Sequence, residues 1–354
     1  MDTPLPPDAI VLLNHASSLL RARHVRESLE LFDRALTLGV DPVTIGGERW
    51  TAAMLLGRFE TAWEVSDLVL RRTDPVDLNR ADRPFHQRAV WDGRPLDGHR
   101  VLIRCYHGLG DIVQFARYLP LVARRARNLT VQAPEAMHGL LAGIAGVGML
   151  YPLGDEVALP PHEVQAELME LPFVFRTTLD SLPAEVPYLR VDPARVAAQA
   201  TRLKRRGRLA VGLAWAAGAW DGGHRSLPVE LVERLMAMPD VDWVCLQRGP
   251  PLTDAGRLPF CDRGIRSDDP LDTAAMIAAL DLVISVDTMV AHLAGALGAP
   301  VWTLLRYEAD WRWMVERDDS PWYPTMCLFR QPTPGVWEPV IARVAEALAS
   351  LPSR

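Results

Sequence analysis

Apolar positions over residues 1–82 follow helical spacing and repeat themselves at an offset of 34 residues. At that offset Ala16 aligns with Trp50, Arg23 with Gly57, Val25 with Phe59, Ser28 with Ala62 and Ala35 with Val69. The loops close on Asp41-Pro42 and Asp74-Pro75, within one residue of the same period. Small residues at one helix crossing and a bulky one two turns away let paired helices nest, and Leu56 to Ala62 carries the clearest copy. A polar connector from Asp82 to Arg100 follows, and the period then changes. Arg100 to Tyr106 is a short apolar, β-branched run, His107 to Asp111 a glycine turn, and Ile112 to Arg127 an amphipathic helix. A strand is predicted at Leu129–Gln132 and a helix near Glu135–Ile144, with further short elements to about Leu182. After Pro187 the alternation resumes. Strands are predicted at Leu209–Trp215, Val241–Gln247, Asp281–Val286 and, as the last, Pro300–Leu305. Helices are predicted at Pro228–Met238, Thr273–Leu280, Val290–Leu297 and, terminally, Trp337–Leu351. Strands alternating with helices imply parallel α/β sheets.

The chain therefore divides into a helical-repeat module over 1–82, a first Rossmann-like domain over 83–186, a second over 187–334, and a closing helix over 335–354. Two such domains frame a cleft between sheets in which a ligand lies. A 34-residue helical hairpin is the tetratricopeptide period, and two copies are few for independent stability, so the module is expected to lean on its neighbour.

Composition excludes more than it assigns. Hydrophobic residues make up 49% of the 354 and charged ones 23%, ordinary usage for a globular chain. No apolar run approaches the ~20 residues of a membrane span. Met1-Asp2-Thr3-Pro4 has no basic segment followed by an apolar one, so a cytoplasmic location without a secretory signal is expected. The four cysteines (Cys105, Cys245, Cys261, Cys327) form no CxxC pair, which argues against a disulfide framework or structural zinc. With a net charge of −6 no basic field recruits nucleic acid. Lys204 is the single lysine, and Arg205 follows it. It supplies neither a Walker A loop nor, inside the basic run Arg202 to Arg206, a Schiff-base site.

Three strand ends carry chemistry. At Gly108-Leu109-Gly110-Asp111 the glycines let the backbone turn tightly and approach a ligand, and the following helix presents unpaired N–H groups. A dinucleotide fingerprint would need glycine at Val113 and an acid near Gln132, and has neither. Asp111 is either a first-turn cap or a general base facing the cleft. In Asp287-Thr288-Met289-Val290-Ala291-His292 a strand ends and a small-residue helix begins. Thr288 offers a hydroxyl, His292 lies on the same helix face one turn on, and Asp287 can accept from sugar hydroxyls. The bland alternatives are an N-cap aspartate and a core histidine. Trp215-Ala216-Ala217-Gly218, leading to His224-Arg225-Ser226, places an arginine where open sheets bind ligands, as a phosphate-directed or a surface group. No HxH, HExxH, GxSxG or strand-end Asp-x-Asp is present.

His107-Gly108-Leu109-Gly110-Asp111-Ile112-Val113-Gln114-Phe115-Ala116-Arg117-Tyr118-Leu119-Pro120 resembles the GLGD-x-x-QFARYLP segment of bacterial tetratricopeptide-repeat glycosyltransferases related to the heptosyltransferases, the glycosyltransferase family 9 type. Three further segments match in order: Val211 to Trp215 with Arg225 to Pro228, Asp281 to Pro300, and Asp310-Trp311-Arg312-Trp313 with Ser320-Pro321-Trp322-Tyr323-Pro324. The resemblance implies a GT-B fold and an inverting transferase that needs no metal or cofactor. Its nucleotide-sugar donor would be held by Asp287, Thr288, Met289, His292, Trp215, Arg225 and Gln247. Asp111 would be the base, in an acceptor-side loop with Gly108, Gly110 and Gln114. The acceptor would be a glycan or a protein, engaged in the latter case by the repeats. A catalytically silent adaptor carrying the same repeats is the alternative.

Overall fold

The structure, a computed structural model, describes residues 7–73, 91–154, 156–203, 208–218, 222–261 and 269–352. The Asp74-Pro75 turn, the connector up to residue 90 with the boundary at 82, and the part of the basic run from Lys204 on lie outside the described residues. Two compact units divide the chain. One holds Met1–Arg94, Glu170–Leu182 and Glu308–Arg317; the other holds Pro95–Met169, Pro183–Tyr307 and Asp318–Arg354.

In the first unit, α1 (Pro7–Arg21) pairs with α2 (Val25–Thr37) and α3 (Gly46–Leu55) with α4 (Phe59–Arg72). The 34-residue offset seen in the sequence is present in the backbone. Arg23 and Gly57 occupy the left-handed region at φ 63° and 70°. The following N–H closes each turn on the residue five back, His24 on Leu19 and Arg58 on Ala53. Ala16, Phe32 and Ala35 fill the first hairpin, where the Ser28 hydroxyl donates to the Ala16 carbonyl at 2.8 Å. The two shorter stretches complete this unit. Trp63 donates to the Thr177 carbonyl at 2.7 Å. Trp311 meets Trp50 edge to face at 5.6 Å, and the Val315 N–H reaches Leu55 O.

The second unit contains two all-parallel sheets. The first is built from β1 (Arg100–Arg104), α5 (Leu109–Phe115), α6 (Leu119–Arg125), β2 (Asn128–Ala133), α7 (Glu135–Leu141), β3 (Met149–Pro152) and β4 (Val164–Glu167). Its strand order is β3-β2-β1-β4. The helix expected over Ile112–Arg127 starts earlier, at Leu109, and is interrupted by a 3-10 turn over Ala116–Tyr118. Pro120 has no N–H for the Ala116 carbonyl, so an unbroken helix cannot pass that point.

After α8 (Leu171–Val174), which belongs to the helical unit, come α9 (Pro193–Ala200), β5 (Leu209–Ala214), α10 (Val229–Met236), β6 (Val241–Cys245), α11 (Pro270–Ala279), β7 (Leu282–Val286), α12 (Met289–Ala296), β8 (Val301–Leu305), β9 (Met326–Arg330) and α13 (Glu338–Ala349). The sheet order is β6-β5-β7-β8-β9. Pro300–Leu305 is therefore not the last strand: β9 pairs with β8 from Val301↔Met326 to Leu305↔Arg330. Helices α9 and α11 start from Asp-Pro pairs, Asp192-Pro193 and Asp269-Pro270, whose carboxylates cap the first turn. Every residue of β7 is buried, the pattern of a central strand covered on both faces. Its core joins Val211, Leu213 and Ile284 to Leu235 of α10 and Val344 of α13. No described helix is long and apolar enough to cross a membrane.

Candidate functional site

In a parallel sheet the strand order reverses at one point, and the loops leaving the carboxyl ends there diverge to opposite faces and open a crevice. In the first sheet the reversal lies between β1 and β4, in the second between β5 and β7. The three sequence constellations follow β1, β5 and β7. The fold thus places them at the two switch points.

The loop after β1 ends at Gly108, which caps α5 at φ −62°. Asp111 is the third helical residue, and its Oδ2 accepts the Gly108 N–H at 3.0 Å. Glycine has no side chain to return the bond, so only the carboxylate half of a capping box exists. Neither Gly108 nor Gly110 has a positive φ. The expectation that these glycines serve a tight turn is corrected for Gly110, whose requirement is proximity. A Cβ there would lie 2.9 Å from His292 Cδ2 and 3.5 Å from the Met289 backbone. The first turns of α5 and α12 abut each other, and this brings the Asp111 turn to the His292 turn.

Around α12 the strand-end cluster is assembled as follows. Thr288, not Asp287, is the N-cap, its hydroxyl accepting the Val290 N–H at 3.2 Å. Ser285 gives its only hydroxyl hydrogen to the Val286 carbonyl at 2.7 Å, so in the 3.2 Å contact between the two hydroxyls Thr288 is the donor. The Thr288 hydroxyl is thereby engaged within the protein as donor and acceptor. His292 is 2% exposed; its Nε2 lies 3.8 Å from Asp287 Oδ1 and its Nδ1 2.9 Å from the Tyr323 hydroxyl. Arg225 donates through Nη1 to the Asp287 carbonyl at 2.9 Å, tying the loop after β5 to the end of β7.

Three sequence-predicted residues are placed otherwise. The Trp215 ring is buried and stacked on Phe260 at 5.8 Å, in the sheet core. The Gln247 carbonyl accepts from the Trp215 and Ala216 N–H groups, and its amide donates to the Ala216 and Arg248 carbonyls. That fills its hydrogen-bonding capacity and makes it a clamp on the loop. Gln114 is fully buried, and neither atom of its amide has a partner among the described residues. Met289 enters through its backbone beside Gly110.

The sequence reading gave no role to several groups nearby. Glu167, buried at the end of β4, has Oε2 3.8 Å from His107 Nε2. Burial, reinforced by the Glu167 charge, pushes the Cys105 thiol well above its ordinary range. Arg117 is buried beside Tyr188 and Tyr323; burial opposes its charge, and the phenolic groups more than offset this, so its pKa is raised. Among the described residues no three His, Cys, Asp or Glu side chains are grouped as metal ligands.

Residues 271–336, from α11 through β9, match the family model described as glycosyltransferase family 9 (heptosyltransferase). The chain is 30% identical over 327 residues to protein FlbA of Caulobacter vibrioides; the match covers 85% of this chain and 54% of FlbA. The chain thus spans about half the length of that curated relative. A family 9 glycosyl transferase from Veillonella parvula superposes with a TM-score of 0.53 at 9% identity, covering 73% of this chain and 91% of the other. The ADP-heptose lipopolysaccharide heptosyltransferase II of E. coli does so with a TM-score of 0.53 at 14% identity, covering 71% and 98%. The fold is that of these GT-B-like glycosyltransferases.

Proposed function

We propose that the chain is a metal-independent, inverting glycosyltransferase that moves a sugar from a nucleoside-diphosphate-sugar to an acceptor hydroxyl. The observation that carries this reading is the close approach at Gly110, which brings a carboxylate from one switch point to a histidine, threonine and aspartate cluster at the other. Asp111 takes the proton of the acceptor hydroxyl as the oxygen attacks the anomeric carbon, and the nucleoside diphosphate leaves from the opposite face. His292 and the first turn of α12 stabilise the charge that develops on the leaving group, and Thr288 joins them by releasing Ser285. Asp287 holds sugar hydroxyls, and Arg225, Gln247 and Trp215 keep the loop after β5 in place.

The paired hairpins of the other unit are read as tetratricopeptide-type repeats that hold the acceptor, a glycan or a protein. A panel of nucleotide-sugars in a thermal-shift assay tests the donor half of this reading. A donor at a hundredfold its dissociation constant adds about 2.7 kcal/mol to apparent stability, an upward shift that is readily measured. The shift is expected in the parent protein and should be reduced in His292→Ala. If no member of the panel raises the melting temperature, the adaptor reading replaces the enzyme.

A further inference from the structure

Two stretches of sequence have no part in the transfer chemistry as described: Gln114 to Pro120 and Ser320 to Pro324. The structure joins them at one buried cation. Arg117 donates through Nε to the Gln114 carbonyl at 2.8 Å and through Nη1 to the carbonyls of Trp322, at 2.6 Å, and Pro183, at 3.2 Å. Its Nη2 donates to the Tyr188 hydroxyl at 3.1 Å. Its guanidinium stands 4.6 Å from the Tyr188 ring centre and 4.7 Å from that of Tyr323. Among the described residues no carboxylate pairs with it. A charge buried without a counter-ion is expensive, and here carbonyl dipoles and aromatic faces take the place of one.

The arrangement has a direction. The Trp322 carbonyl held by Arg117 belongs to the peptide that leads into Tyr323. The Tyr323 ring lies in a notch at Gly295, where a Cβ would come 2.4 Å from Cδ1. From there its hydroxyl meets His292 Nδ1 at 2.9 Å. On its other side His292 is closed in by Gly110. A cation against the phenol ring makes its hydroxyl the better donor, which would leave Nδ1 to accept and put the ring proton on Nε2, the nitrogen on the Asp287 side.

We propose that Tyr323 is a positioning residue that fixes the orientation and tautomer of His292, and that Arg117 fixes Tyr323. This inference rests on the reading of His292 as the diphosphate-binding group. It adds that the donor site is set from behind by a cation carried on the same chain passage as Asp111, six residues further along.

The test uses the full chain in two arms. In the first, nitrogen-15 NMR of labelled histidine reports the protonation of His292 in the unliganded protein. We expect a protonated Nε2 and an accepting Nδ1, with the Nδ1 resonance displaced in Tyr323→Phe, which keeps the ring in its notch and removes one bond. In the second, adenosine, guanosine, uridine and cytidine diphosphates are titrated calorimetrically. His292→Ala should weaken the diphosphate that binds by about tenfold to a hundredfold and Tyr323→Phe by about threefold to thirtyfold. The double variant should be no weaker than His292→Ala alone, because Tyr323 acts through His292. Arg117→Lys, which keeps the charge but not the fork of donors, should weaken binding in the same direction and without additivity to Tyr323→Phe. A proton on Nδ1 in the parent, an unmoved Nδ1 resonance in Tyr323→Phe, or a double variant weakened by the product of the single effects overturns the proposal. If no diphosphate binds the parent, the donor-site reading fails, while the NMR arm still decides whether Tyr323 sets His292.

Discussion

Gly110→Ala sets two magnitudes against each other. The added Cβ would stand 2.9 Å from His292 Cδ2, well inside the ~3.5–4.0 Å of a comfortable carbon contact. The His292 ring cannot retreat freely, since its other side is bonded to Tyr323. Overpacking of this kind costs about 1–3 kcal/mol. Against it, Gly110 lies in a helix at negative φ, where alanine gains up to ~1 kcal/mol of propensity and suffers no backbone strain. The net loss of stability should be about 0–2 kcal/mol, a small effect. The functional loss should be large, because displacing a binding group by ~1 Å costs on the order of a hundredfold. Urea denaturation and nucleotide-sugar titration on one preparation measure both. Full donor affinity in a folded variant would refute the close approach of α5 to α12. A loss above about 3 kcal/mol would make the glycine a requirement of folding instead.

Other outcomes follow from the same geometry. Asp111→Asn keeps an oxygen for the Gly108 N–H, so stability should hold while single-turnover transfer falls by about 10²–10⁴; retention of more than about a tenth of the rate would leave Asp111 as a cap. Chelation with EDTA should leave transfer intact, and activity abolished by it and restored by Mg²⁺ would overturn the metal-free mechanism. In the helical unit, the hydrogen bond from Arg72, helped by the Val43 N–H, holds the Asp41 carboxyl below its ordinary pKa. A depressed folded pKa contributes stability that is complete above the ordinary aspartate value of about 4 and is lost as pH falls through the lower folded value. Asp41→Asn should therefore lower stability slightly near pH 7, leave it unchanged at the acid end, and so flatten the limb of a denaturation series below about pH 4; an unaltered acid limb would count against the pair.

What the sequence disclosed depended on how local the signal was. The buried strands β5 and β7 were legible as continuous apolar runs, and the Asp287–His292 cluster because one strand end and one helix turn bring it together. Strand β4, Val-Gln-Ala-Glu, has half its residues polar, and its buried Glu167 reads as a surface acid. Strand β9 was hidden behind an aromatic stretch that holds a single 3-10 turn, Trp311–Trp313, instead of the α-helix that precedes the other strands of its sheet after β5. The pairing of His292 with Tyr323 spans 31 residues and no periodicity announces it. Gln247 and Trp215 stand at the right strand ends, but position along the chain does not say whether a side chain faces ligand or backbone.

The make-up of the helical unit bears on how such a chain can be cut, fused or inherited. Its hairpins are completed by Glu170–Leu182 and Glu308–Arg317, stretches that leave the carboxyl ends of β4 and β8 within a few residues. A shortened version starting after Arg94 would strip Trp311 of Trp50 and Thr177 of Trp63, leaving aromatic surface without its cover. Conversely, the hairpins grafted alone onto another protein would lack the Val315 N–H that reaches the Leu55 carbonyl. The two parts are therefore not interchangeable cassettes. Recombination that moved the hairpins would have to bring both loops with them.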